Sequence, residues 1–68
     1  MNIRLNGKLY EIKEEANIKT LLDELNINSK AIAVMVNGVI IKARMHELTI
    51  LSDSDQVEIV MPLQGGKF

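Results

Sequence analysis

Only one stretch of this 68-residue chain, EEANIKTLLDELNIN, repeats its apolar residues at helical spacing. Ile18, Leu21, Leu22 and Leu25 fall at i, i+3, i+4 and i+7, which places them on one face of a helix. Asn17 stands where an N-cap belongs, and Lys19, Asp23 and Glu24 fall on the solvated side. A single amphipathic helix cannot close a core alone. The rest of the chain must therefore supply a sheet to cover the leucine face.

The remaining segments read as strands. NIRLNGKLYEI alternates around Asn6-Gly7, a pair suited to a tight hairpin because both positions accept positive φ. Ile3 and Leu5 share a face with Tyr10 and Ile12, and Leu9 points the other way. AIAVMVNGVIIKA is a β-rich run interrupted by a second pair, Asn37-Gly38. Its apolar residues occupy both faces, which predicts a strand covered by the helix on one side and by a neighbour or partner on the other. RMHELTIL predicts a short helical turn leading into a brief strand, and SDSD predicts a turn. QVEIVMPL is the final strand, with Val57 and Ile59 inward and Glu58 and Val60 outward. Pro62 lacks an N–H, so ladder pairing stops near it. The fold class that follows is α+β: a mixed sheet of four to five strands around one main helix, the β-grasp or ubiquitin-like layout. Residues 1–64 form that domain, and residues 65–68 form a flexible tail.

Composition removes several functions. There is no cysteine, hence no disulfide, thiolate nucleophile or thiolate metal site, and a single histidine makes a metal cluster or a Ser-His-Asp site untenable. Eight basic and nine acidic side chains nearly cancel, and with one Tyr, one Phe and no Trp the chain lacks the footprint of a nucleic-acid binder. No stretch approaches the roughly 20 apolar residues of a membrane span, and MNIRLNGK is not a signal peptide. The expectation is a cytoplasmic domain without catalytic side chains of its own. His46 reads as a surface residue. Met35, Met45 and Met61 read as core or edge packing, with a soft binding surface as the alternative. Asp23-Glu24 and Asp53/Asp55 read as a solvated helix face and a turn.

The end of the sequence, MPLQGGKF, is harder to assign to packing. Chain ends are often loose and rich in glycine, which is one explanation of Gly65-Gly66. The other is chemical. Residues without a Cβ can thread a channel that any other residue would block, and they leave a terminal carbonyl open to a nucleophile. That suits a protein whose own carboxylate is the reacting group.

At this point the whole chain resembles the ThiS/MoaD family of sulfur carriers. The likeness lies in the opening hairpin MNIRLNGKLYEI, the helix IKTLLDEL, the strand VMVNGVII, Arg44, the segment LSDSDQVEIV and the tail MPLQGG. It implies that an ATP-dependent adenylating enzyme of the ubiquitin-activating type converts the Gly66 carboxylate to an acyl-adenylate. Sulfur then displaces AMP, and the Gly66 thiocarboxylate donates sulfur to a biosynthetic enzyme of cysteine, homocysteine, methionine, thiamine or related metabolism. The same resemblance implies that Gly65 gives reach, that Val60, Pro62 and Leu63 dock on the activating enzyme, and that no metal or cofactor is bound by the carrier. Two positions depart from the family. Ser54 stands where Asp-Gly-Asp is common, an exchange that the turn is expected to accept freely. Lys67-Phe68 follow the glycines and lock the Gly66 carboxyl in an amide. Members that resemble this chain in that respect are trimmed by a JAMM-type zinc peptidase, which makes Gly66–Lys67 the cleavage point. The alternatives are the small subunit of molybdopterin synthase and, from another class, a ubiquitin-like protein modifier or a non-catalytic β-grasp adaptor.

Overall fold

A computed structural model describes residues 1–12, 14–27, 31 and 33–61. In chain order the elements are β1 (Asn2–Leu5), β2 (Lys8–Glu11), α1 (Ile18–Glu24), β3 (Ala33–Val36), β4 (Val39–Ile41), a 3-10 turn (Ala43–Met45) and β5 (Gln56–Val60). The sheet runs β2-β1-β5-β3-β4. β1 and β5 lie parallel, and the other neighbours are antiparallel. This is the mixed β-grasp sheet expected from the sequence, at its five-strand limit.

Both Asn-Gly pairs make hairpins. Asn6 and Gly7 sit at φ 50° and 84°, and Asn37 and Gly38 at φ 53° and 84°, so each pair takes the left-handed turn that suits a right-twisted ribbon. The second hairpin divides the β-rich run into β3 and β4 rather than leaving one strand. On its outer face the described residues do not supply the cover expected on both sides, which leaves a partner as the expected alternative. Val34 is buried beneath the helix, but Met35 is half-buried and Ile40 exposed on the other face.

The core is one cluster. Ile3, Ile18, Leu21, Leu22, Val34 and Val57 are fully buried, and Leu5, Ile12, Ile27, Leu51 and Ile59 join them. Each fully buried aliphatic side chain contributes about 1.5–3 kcal/mol by leaving water. This burial, more than helix propensity, is what holds a seven-residue helix in place. The helix is also finished carefully at both ends. Asn17 Oδ1 accepts from the Thr20 N–H at 2.8 Å while the Asn17 N–H donates to Thr20 Oγ1 at 3.0 Å, a reciprocal capping box. At the other end Asn26, at φ 62°, donates its N–H to Asp23 O at 3.0 Å, and the Ile27 N–H reaches Leu22 O at 3.0 Å. That is the Schellman pattern with Asn in place of Gly, and it turns Ile27 into the core. The Tyr10 hydroxyl donates to the Glu24 carboxylate and ties β2 to the last turn of α1. That bond, with desolvation and the Glu24 charge acting the same way, raises the Tyr10 phenol above its ordinary pKa.

The expected brief strand after the 3-10 turn is a single bridge, Asn17 to Ile50. Flanking bonds from Ile18 N–H to Thr49 O at 3.2 Å and from Leu51 N–H to Ala16 O at 2.9 Å spend this segment on the entry to the helix instead of on the sheet.

The turn before β5 corrects the reading of Ser54. Asp53 Oδ1 accepts from the Asn2 N–H at 2.8 Å, the Ser54 N–H donates to Asn2 O at 2.7 Å, and Asp55 Oδ2 accepts from the Ser52 N–H at 2.7 Å. These bonds pin Ser54 at φ 74°, a left-handed conformation that costs an L residue about 1–2 kcal/mol. Serine is not free there. Ser54→Gly is expected to stabilise the domain by about 1 kcal/mol after allowing for the extra freedom of glycine in the unfolded chain. For a domain this size that raises Tm by roughly 4–8 °C in thermal unfolding followed by circular dichroism. An unchanged or lower Tm would refute the strain argument.

Candidate functional site

The site begins where β5 ends. β5 lies centrally, with β1 on one side and β3 on the other; β3 pairs with it up to Val60 and β1 as far as Val57. Its side chains alternate as the sequence requires. Val57 and Ile59 go into the core, and Gln56, Glu58 and Val60 go to the face that α1 does not cover.

Register assembles that open face. Ala33 pairs with Val60, and Met35 pairs with Glu58 on one side and Ile40 on the other. Val60 is 43% exposed and Ile40 65%. Val60, Ala33, Met35 and Ile40 therefore form an apolar strip across three strands, starting where the chain leaves β5 and interrupted by Glu58. Contiguous exposed apolar residues on a sheet face are a usual mark of a protein contact. Leu9, 68% exposed, belongs to the same face but lies beyond β1, paired across from Arg4.

Of the residues proposed for docking from sequence, Val60 is where the alternation put it. Pro62, Leu63, Gly65, Gly66 and Lys67 lie outside the described residues. Met35 and Ile40 join Val60 through register alone. Met61 packs against the core rather than on this face.

The other candidates have structural roles. His46 Nε2 lies 3.1 Å from Ile41 O, which ties the 3-10 turn to β4, and its ring is half-buried rather than on the open surface. Asp53 and Asp55 are occupied in the turn before β5, and Asp55 Oδ1 also accepts from Asn37 Nδ2 at 3.0 Å. Among the described residues no three His, Cys, Asp or Glu side chains gather as metal ligands. Among the same residues no helix is long and apolar enough to cross a membrane.

Sequence reasoning missed the bonds that the asparagine side chains of the two hairpins make to β5, Asn6 near the exit of the strand and Asn37 at its far end. Asn6 Oδ1 accepts from the Ile59 N–H at 2.8 Å, and Asn6 Nδ2 donates to Ile59 O at 3.3 Å. Asn37 does the same service at the start of β5: its Oδ1 accepts from the Gln56 N–H at 2.9 Å and its own N–H donates to Gln56 O at 2.7 Å. The signal available in sequence, Asn-Gly, is explained fully by the turn, so nothing pointed to a second duty for the side chains.

Known proteins share this fold. The crystal structure of thiamine biosynthesis protein ThiS from Geobacter metallireducens superimposes with a TM-score of 0.81 at 28% identity, over 97% of this chain and 100% of that one. A solution structure of a thiamine biosynthesis protein from the same organism gives 0.80 at 30% identity, over 100% of this chain and 91% of that one. The uncharacterized protein ycf40 of Porphyra purpurea is 32% identical over 66 residues, which is 97% of this chain and 93% of the relative. Its counterpart in Pyropia yezoensis is 27% identical over the same length. The ThiS family model matches residues 3–66, from the first core residue of β1 through the second glycine, and the chain belongs to the ThiS family.

Proposed function

We propose that this protein is a sulfur carrier that reacts through the carboxylate of Gly66. The observation that carries the reading is the course of β5. The central strand of the sheet ends at Val60, and the sequence beyond it runs within a few residues to Gly65-Gly66. An apolar strip flanks the point of exit.

In this reading the Gly66 carboxylate attacks the α-phosphorus of ATP on an activating enzyme, and pyrophosphate leaves. Sulfide attacks the resulting acyl-adenylate, AMP leaves, and a thiocarboxylate remains on Gly66. A persulfide serves equally once a second thiol cleaves its S–S bond. The thiocarboxylate sulfur then passes to an acceptor on a biosynthetic enzyme. The protein supplies the reacting carboxylate, the slim approach to it and the docking face, so it is a co-substrate and not an enzyme. ATP is bound by the partner. Because the Gly66 carboxyl is held in an amide with the Lys67 nitrogen, the Gly66–Lys67 bond must be cut first, and a JAMM-type zinc peptidase is the proposed agent. Membership of the ThiS family and the likeness to the two Geobacter thiamine biosynthesis proteins support thiamine synthesis as the first pathway to test, ahead of a molybdopterin synthase subunit.

The test is an intact mass of the protein from its native cells under conditions that preserve thioacids. The expected species ends at Gly66 and carries one sulfur in place of a carboxyl oxygen. A population that keeps Lys67-Phe68 throughout sulfur-demanding growth would overturn the proposal in favour of an adaptor. Gly66 found in isopeptide bonds to lysines would favour a protein modifier.

A further inference from the structure

The parallel ladder between β1 and β5 runs out before β5 does. Alternate residues from Asp55, just before β5, present their backbone groups to the β1 side: the Arg4 N–H donates to Asp55 O at 2.8 Å, and the Asn6 N–H donates to Val57 O at 2.9 Å. The next residue in that series is Ile59. Its partner strand has already turned away, because Asn6 and Gly7 are the left-handed turn into β2. An unpaired N–H and C=O at Ile59 would leave the last turn of the rail loose, and a part-buried backbone group without a partner is costly. The Asn6 side chain fills the gap. Its amide offers one acceptor and one donor in the arrangement of a peptide group, and it takes both backbone groups of Ile59.

Asparagine alone meets both demands. Glycine would accept the left-handed turn but has no amide. Aspartate accepts the turn and the Ile59 N–H, but it has no proton for Ile59 O and places a carboxylate against that carbonyl. Glutamine has the amide on a longer arm and is not a left-handed turn residue.

We infer that Asn6 is a positioning residue for the reaction at Gly66: its amide is the last rung on the β1 side of β5 and fixes the direction in which the chain leaves the sheet. The inference rests on the sulfur-carrier reading. It separates two tasks on neighbouring parts of the molecule. The apolar strip at Val60 determines whether the carrier docks, and the Asn6 rung determines where the docked carrier delivers its terminus. An end group that must meet the α-phosphorus of ATP tolerates little misplacement, and an error of about 1 Å can cost up to a hundredfold in rate.

Asn37 provides the control. It sits in the same kind of turn, and its side chain also makes two bonds, accepting from the Gln56 N–H at the end of the strand away from the tail and donating to Asp55 Oδ1. Removing either amide weakens the sheet by a similar amount, and only one removal disturbs the exit.

The experiment uses the chain ending at Gly66, with its activating enzyme, in an ATP–pyrophosphate exchange assay well below Tm. Asn6→Gly and Asn37→Gly both keep the turn. The expected result is a fall in kcat of about tenfold for Asn6→Gly with KM within twofold of wild type, and no change in kcat for Asn37→Gly. Asn6→Asp, which keeps the acceptor, falls between. Amide hydrogen exchange supplies a readout without the enzyme, with faster exchange at Ile59 in Asn6→Gly and unaltered exchange there in Asn37→Gly. Equal kcat for the two glycine variants, or an Asn6→Gly effect confined to KM, overturns the positioning role. If the wild-type chain ending at Gly66 is not adenylated at all, the sulfur-carrier reading itself is wrong and the inference falls with it.

Discussion

A chain ending at Gly66 is expected to support ATP–pyrophosphate exchange on its activating enzyme, and the same chain continuing through Lys67-Phe68 is expected to support none. The difference is chemical before it is steric. A carboxylate has a full negative charge to place on the α-phosphorus, whereas the Gly66 carbonyl in the longer chain is part of an amide whose lone pair is delocalised. No adjustment of docking restores a nucleophile that is absent, so the loss is complete within detection. Mass spectrometry of the two reactions shows AMP-linked protein in one and unmodified protein in the other. Exchange by the uncut chain at a comparable rate would remove Gly66 as the reacting group. A companion variant separates reactivity from access. Gly66→Ala in the shortened chain keeps the carboxylate and adds one methyl group at the reacting residue. If the approach to ATP is as narrow as two successive glycines suggest, exchange falls by about a hundredfold while the Tm of the domain stays put, because residue 66 lies beyond the last strand. A normal rate from Gly66→Ala would show that slimness is not why glycine stands there.

What could be read from the sequence divides by range. The helix, both hairpins and the alternation of β5 depend on residues within a few positions of one another, and periodicity reports such arrangements directly. Val60 was legible for that reason, as an outward residue of an alternating strand. The same local logic failed at Ser54. Serine suits many turns, and part of what holds it left-handed is its bonding to Asn2, about fifty positions away on β1. The division of residues 33–41 into two strands was signalled by Asn37-Gly38, and apolar residues on both faces left open whether a neighbour or a partner covers the outer one. The outer side of β3 and β4 stays open, and that open side is the better part of the candidate docking strip. Ile50 illustrates the opposite case, a strand-like residue taken by the helix entry through its bridge to Asn17. The least legible features were the two asparagine side chains. Asn6 meets Ile59 across 53 positions of sequence and Asn37 meets Gln56 across 19, and a turn fully accounted for each of them locally.

Val60→Asp is expected to raise KM for the activating enzyme by about thirtyfold, which corresponds to the loss of one buried contact worth about 2 kcal/mol at the centre of an interface. The position allows the experiment to be clean. Val60 is the last residue of β5, faces away from the core and is 43% exposed, so the fold loses little more than a strand preference, about 1 kcal/mol. The surroundings make the effect on binding large. Asp at this position puts a charge on the strip formed with Ala33 and Met35, and it adds a second carboxylate two residues from Glu58 on the same face. A partner surface matched to apolar side chains would have to desolvate that charge without pairing it, which is the costly case. Leu9→Asp tests whether the face as a whole or only the strip beside the tail is used. Leu9 is more exposed than Val60, but it stands on β2 with β1 between it and β5. A contact that must be close to the emerging terminus has no use for it, so its KM should stay within twofold of wild type. Steady-state kinetics over a range of carrier concentrations separates the outcomes. An increase for Leu9→Asp equal to that for Val60→Asp would spread the contact over the whole open face, and an increase for neither would move it off the sheet. In the expected case the dock is confined to the end of β5, where the strand that is gripped from both sides gives way to the sequence that carries Gly66.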